Sequence, residues 1–175
     1  MNKLLCIASV LLTILPAAAQ PGNGRGFLEK KNEIMIWKSA DLKAYAGTLP
    51  PKMNAQKVAS QALANFGDYN ALIAHREGSG EAEWHDNAAD FMVIQSGACT
   101  LILGGTIKDS HTTGAGEIRG TSIEGGQSYE VAPGDIVNVP AKTPHQMIVP
   151  AGGQITYLVV KLPTVGPMRI VPVAR

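Results

Sequence analysis

The stretch EAEWHDNAADFMVIQSG, Glu81 to Gly97, decides how this chain is read, and it makes sense only beside a second one, PGDIVNVPAKTPH, Pro133 to His145. Side chains at i and i+2 of a strand point to the same face. An extended Glu81–His85 run therefore puts Glu83 and His85 on one face and Trp84 on the other. DNAA is a polar, small run that turns the chain into DFMVIQ, so Asp90 joins them from the next strand. His145 ends a tight turn after Pro140 and Pro144 and opens the strand HQMIVP, bringing a second imidazole from a distant part of the chain. Two histidines and two carboxylates suit a divalent first-row metal: imidazole serves Zn, Fe, Ni and Cu, and carboxylate serves harder ions such as Mn. A lone histidine or carboxylate near a turn is ordinarily solvated, so the expectation rests on the four converging.

Outward from these two stretches, short strands alternate with Gly and Pro turns. YNALIAHRE, AEWH, SYEVA, IVNVP, HQMIVP and QITYLVVKL read as strands, and DFMVIQSGACTLILGG reads as a hairpin turning at Ser96-Gly97. Such spacing predicts an all-β sandwich or barrel. On the last strand Tyr157, Val159 and Lys161 share one face and Thr156, Leu158 and Val160 the other; the pattern does not say which is inside. The apolar content around Met147 and Val149 predicts a dry pocket with few polar groups, fit for a small organic ligand. His75 reads either as a pocket residue or as a hydrogen-bonded core histidine. Cys99, in ACTLIL, reads as core. KDSHTTGAGEIRGTSIEGGQ, residues 108–127, reads as a long glycine-rich loop placed to fold over a barrel mouth. Its His111, Glu117 and Arg119 are candidates for ligand contact, with Tyr157 as a further substrate-binding candidate; no P-loop or dinucleotide fingerprint is present.

The N-terminal part differs. Lys3 and the apolar run LLCIASVLLTILP before Ala17-Ala18-Ala19 predict a secretory signal peptide over residues 1–19, and hence a secreted or periplasmic protein. An N-terminal extension follows over residues 20–52, with a flexible leader, a first strand EIMIWKS from Glu33 and a short helical turn capped at Ser39 or Asp41. AQKVASQALANF, from Ala55, carries Val58, Ala62, Leu63 and Phe66 on one helical face and predicts an amphipathic helix stopped by Gly67. The main domain is expected over residues 53–175, with a tail, TVGPMRIVPVAR, that adds an edge strand or ends loosely. The whole chain has 15 basic and 14 acidic residues. Loss of Lys3 makes the mature chain formally neutral, which argues against nucleic acid or, after signal cleavage, a membrane surface as partner. Cys99 is then the remaining cysteine, so no internal disulfide is expected.

The two opening stretches resemble the motifs of the cupin superfamily. Asp90 and Gly97 match the E-x6-G half of the first motif with Asp for Glu, His85 matches its second histidine, Glu83 falls where the first histidine stands, and Gly78 lies one residue out of step with the leading glycine. In the second motif Gly134, Pro140 and His145 match in register, while Lys142 replaces a glycine and Val149 an asparagine. The resemblance spans Tyr69 to Leu162. It implies a single-domain jelly-roll β-barrel with the short helical segment N-terminal to it, and a divalent metal (Fe, Mn or Zn) held at one end by His85, Asp90, His145 and Glu83. It implies dioxygenase, isomerase or lyase chemistry on a small molecule, with Glu83 either a ligand or the general base, and a possible homodimer. A non-catalytic small-molecule or sugar-binding module, and a structural or signalling protein that has lost the site, are the other readings of the same motifs.

Overall fold

The structure is a computed structural model and describes residues 33–164. The expected signal peptide, most of the leader and the C-terminal tail lie outside the described residues. In chain order the described strands are β1 (Val58–Asn65), β2 (Asn70–Arg76), β3 (Ala82–His85), β4 (Ala88–Gly97), β5 (Cys99–Leu103), β6 (Thr106–Lys108), β7 (His111–Gly114), β8 (Glu117–Gly120), β9 (Ser122–Glu124), β10 (Gln127–Val131), β11 (Ile136–Val139), β12 (His145–Ile148) and β13 (Ile155–Pro163). They form two facing antiparallel sheets, β1-β2-β13-β4-β11 and β10-β5-β12-β3-β8-β7, with β6 and β9 as a small ribbon. This is the all-β barrel expected from the spacing, in the jelly-roll form that the resemblance implies. Among the described residues no helix is long and apolar enough to cross a membrane.

Strand alternation sets what faces the barrel interior. Leu72, Ala74 and Arg76 on β2, Asp90 and Met92 on β4, and Tyr157, Val159 and Lys161 on β13 all line one cavity, as the two-residue period requires. Deeper in the barrel Ile94, Leu101, Val139 and Ile155 are fully buried, each worth roughly 1.5–3 kcal/mol of apolar burial. The opposite face of the first sheet is also covered. Ala59, Leu63, Ala71 and Ile73 form a second core with Leu49, against which Trp37, Leu42, Met53, Phe66, Leu158 and Val160 pack. Of these, Trp37, Leu42, Leu49 and Met53 come from the N-terminal segment and helix α1 (Ser39–Gly47), where the Asp41 carboxylate accepts the Lys38 backbone N–H at 2.9 Å. So β13 is apolar on both faces because both are buried, and it is the odd-numbered face that looks inward.

Four local expectations are corrected. AQKVASQALANF is not a helix: Val58–Asn65 pairs along its length with β2, with a bulge between Ala62 and Ala64. Helix propensity is a weak prior, and here the two faces of the segment are claimed by the cavity (Val58, Ser60) and the outer core (Ala59, Leu63). Gly67, at φ 93°, makes the β1–β2 turn instead of stopping a helix. EIMIWKS is not a strand: residues 33–38 belong to no strand, Ile34 and Ile36 are exposed, and Trp37 docks edge-on against Phe66. DFMVIQSGACTLILGG is not a hairpin, since β4 pairs with β13 and β11 while β5 pairs with β10 and β12. The chain crosses between sheets at Gly97, at φ 71°, where any Cβ would collide with the Gln154 carbonyl. Finally, residues 108–127 are not a loop: β7 and β8 extend the second sheet beside β3.

Candidate metal centre

The site is built from cross-strand pairs. In the second sheet His145 on β12 stands opposite Glu83 on β3. Glu83 in turn stands opposite Arg119 on β8, and His85 opposite Glu117. In the first sheet Asp90 on β4 stands opposite Lys161 on β13. Side chains directly across an antiparallel pair lie within reach of each other, so register alone puts acid beside base at four places. Facing the two sheets brings the pairs together. Glu83, His85, Asp90 and His145 each offer a ligand atom, all within 4.8 Å of one another. The two imidazole rings sit 5.2 Å apart, tilted by 53°.

Two special backbone positions precede His145 in the second stretch. Pro133-Gly134 makes a tight turn with Gly134 at φ 96° and the Asp135 N–H bonded to the Ala132 carbonyl at 3.1 Å, the chemistry of a type II turn. Lys142 has φ 64°, the left-handed conformation that a glycine would supply at that motif position. From there its N–H donates to the His85 carbonyl at 2.7 Å. That bond ties the second motif to the first.

Both histidines are oriented from behind. His85 Nδ1 lies 2.8 Å from Glu117 Oε2, and His145 Nδ1 lies 3.0 Å from the Thr143 carbonyl. Both partners are acceptors, so the proton sits on each Nδ1 and Nε2 is turned to the cluster. This is the arrangement that metal-binding histidines use, one ring nitrogen on the ion and the other held by a carboxylate or carbonyl. His85 Nε2 and His145 Nε2 are each 3.5 Å from Asp90 Oδ2. The donors therefore fit a divalent ion.

Charge surrounds the cluster. Lys161 Nζ donates to Asp90 Oδ1 at 2.6 Å and to His85 Nε2 at 3.0 Å. Burial acts to raise the Asp90 carboxyl, but contacts from His145, His85 and Lys161 outweigh it and hold the group well below the usual carboxylate range. Glu83 is clasped by two guanidiniums, Arg76 at 3.3 Å on Oε1 and Arg119 at 3.4 Å on Oε2. There too burial pushes the carboxyl up and Arg119, His145, Arg76 and Lys161 bring it down. Arg76 also donates through Nε to the Tyr157 hydroxyl at 3.1 Å.

The cluster opens on a cavity of about 690 Å³ lined by Glu83, Asp90, His145, Tyr157, Arg119 and Glu117, among others. It is a charged pocket, not the dry one expected, because the apolar residues of each strand lie deeper while the charged ones gather at the site end. Of the substrate-contact candidates, Arg119 and Tyr157 line the cavity, and His111 is exposed on β7 and does not. His75 is buried and bonded to Thr156 Oγ1 at 2.8 Å, outside the cavity. Cys99 is buried in the inner core. Arg76 was not singled out in the sequence. The signal for it, as for Lys161, is a single cation ending an otherwise apolar alternate-residue face: Leu72, Ala74, Arg76 and Tyr157, Val159, Lys161.

The strand order and the cluster at one end of the barrel are those of a jelly-roll barrel, the fold that the resemblance to cupins implies. No protein-family model matches the chain, and no curated protein matches it. Among solved structures the chain is similar to TT1209 from Thermus thermophilus, with 18% identity over 70% of this chain and 94% of that one and a TM-score of 0.51. It also aligns with a cupin 2 conserved barrel domain protein from Rhodopseudomonas palustris (21% identity, 67% and 68% covered, TM-score 0.43). A third alignment is with the polyketide cyclase RemF from Streptomyces resistomycificus (19%, 70% and 76%, TM-score 0.45). At 18% identity the likeness to TT1209 is one of fold alone.

Proposed function

We propose that this protein is an exported, metal-dependent enzyme of the cupin fold that acts on a small organic molecule in the barrel cavity. The observation that carries the reading is the cluster itself: four donor side chains within 4.8 Å of one another, with both histidines held from behind and a cavity beside them. His85, His145 and Asp90 form a two-histidine, one-carboxylate set, and such sets with open positions favour Fe(II); the additional carboxylate of Glu83 keeps Mn and Zn in the range. Bound there, the ion would supply Lewis-acid activation of a substrate oxygen. Glu83 suits the role of fourth ligand better than that of base, since a carboxylate held down by two guanidiniums is a weak proton acceptor. Arg119 and Tyr157 would orient the substrate.

One observation supports a second reading. Lys161 already supplies a cation to Asp90 and His85, and a site satisfied in this way can serve a non-catalytic module that binds a small molecule or sugar without a metal. The test is turnover by protein reconstituted with Fe(II), Mn(II) or Zn(II), against a panel of small hydroxy acids, keto acids, sugars and phenolics. Product formation that is lost in His145→Ala supports the enzyme. Stoichiometric metal with no turnover across the panel favours the binding module, and protein that takes up no metal overturns the metal-dependent reading.

A further inference from the structure

The metal reading leaves Lys161 without a role. Its ammonium lies on two of the atoms an ion would use, 2.6 Å from Asp90 Oδ1 and 3.0 Å from His85 Nε2. A divalent ion on Asp90 and His85 and an ammonium on the same atoms are like charges a few ångströms apart in a partly desolvated pocket, where repulsion is strong. The ammonium has to leave. Its stem is flexible, and its neighbours on the same face of β13, Val159 and Tyr157, line the cavity. The cavity is therefore the space it enters.

The charges of the wall say what it meets there. Glu83, Asp90 and Glu117 stand against Arg76, Arg119 and Lys161, a balanced set before any ion is added. A divalent ion tips the cavity positive by two charges, and Glu81 at its rim offsets one. Arg76 keeps Tyr157 and Glu83, and Arg119 keeps Glu83 and Glu117. Lys161, having lost Asp90, is the cation left unmatched.

Resting on the metal reading, we propose that the site binds its ion together with a small carboxylate, and that Lys161, displaced from Asp90 by the ion, is the residue that holds the carboxylate. Lys161 is then a specificity residue: it selects carboxylate-bearing ligands over neutral ones of the same size. Ion and carboxylate bind with positive coupling, and by linkage each tightens the other by the same factor.

The test measures Mn(II) affinity of the chelator-stripped full chain by calorimetry, with and without benzoate, a carboxylate that chelates Mn(II) weakly in solution. The proteins are wild type, Lys161→Met and Lys161→Gln, each checked by thermal melting. In wild type, benzoate should tighten Mn(II) binding by about fivefold or more, the scale of ordinary site-to-site coupling. Both variants should bind Mn(II) alone roughly tenfold tighter than wild type, because a competing positive charge is gone, and should show no benzoate coupling. Mn(II) binding by wild type without any coupling overturns the proposal whatever the variants do. Coupling that survives in either folded variant, or equal Mn(II) affinity in all three proteins, overturns the role of Lys161 and leaves the metal reading standing. Absence of Mn(II) uptake by all three overturns both.

Discussion

Glu117→Gln separates the metal centre from the fold more cleanly than any change in the ligands. Glu117 Oε2 accepts from His85 Nδ1 at 2.8 Å and lies 3.3 Å from Arg119, and its side chain is 37% exposed. Glutamine keeps the length and an acceptor oxygen, so the ring stays in place and only the charge is lost. An ion pair this exposed contributes within about 1 kcal/mol of stability, so the urea midpoint of the metal-free protein should barely move. Metal affinity should respond far more, because a carboxylate behind a histidine raises the basicity of the coordinating nitrogen. Losing such a partner typically weakens binding by about 10–100-fold, or roughly 1.4–2.8 kcal/mol. The assay is competition for Mn(II) or Zn(II) against a chromophoric chelator, beside urea denaturation of the same preparations. An affinity within twofold of wild type, with stability unchanged, would refute the argument that His85 binds the ion through Nε2 with Glu117 behind it. A large loss of stability would refute the claim that Glu117 acts chiefly on the site.

The strain at Lys142, held at φ 64°, predicts that Lys142→Gly stabilises the protein by roughly 0.5–1 kcal/mol in urea denaturation, the left-handed penalty less the chain entropy of glycine; a neutral or destabilising result contradicts it. Asp90 and Glu83 titrate lower in the folded chain than unfolded, so the folded state binds fewer protons there. Their contribution is complete above the unfolded carboxyl values of about 4 and is lost as pH falls below them. Urea midpoints of metal-free protein measured downward from pH 6 should show that loss, with a shallower slope in Asp90→Asn, and equal slopes would count against the arrangement. Burial, followed by Glu130, pushes the Cys99 thiol up to about 11, so native protein at pH 8 should leave a thiol reagent unreacted until urea unfolds it.

Much of the architecture was legible in the sequence where a strand buries one face, because alternation then writes the register into the chain. Glu83 and His85 across Trp84, and Asp90 after DNAA, could be placed together for that reason, and the tight turn after Pro140 and Pro144 announced the return of His145. The misreadings have physical causes. Ala55–Phe66 is rich in alanine, glutamine and leucine, which favour a helix locally, and only pairing with β2 makes it a strand. Gly97 has a turn residue's signature, but whether the chain folds back or crosses to the other sheet depends on Gln154, more than fifty residues on. The polar run at residues 108–127 looked like a loop because β7 carries no buried residue at all. Its pairing partner is what gives β8 structure and brings Glu117 and Arg119 to the site. Lys161 and Arg76 were hidden for the same reason: their importance lies in the residues opposite them, which periodicity along one strand cannot display.

Metal content decides the central claim. Protein expressed without a metal-binding tag, then stripped and reloaded with Fe(II), Mn(II) or Zn(II), should retain one ion per chain by elemental analysis. Anomalous scattering from its crystals should place that ion among His85, Asp90 and His145, and His145→Ala should lose it while still folding. A wild-type chain that retains no ion after reloading, or an ion that stays when His145 is removed, would contradict the account.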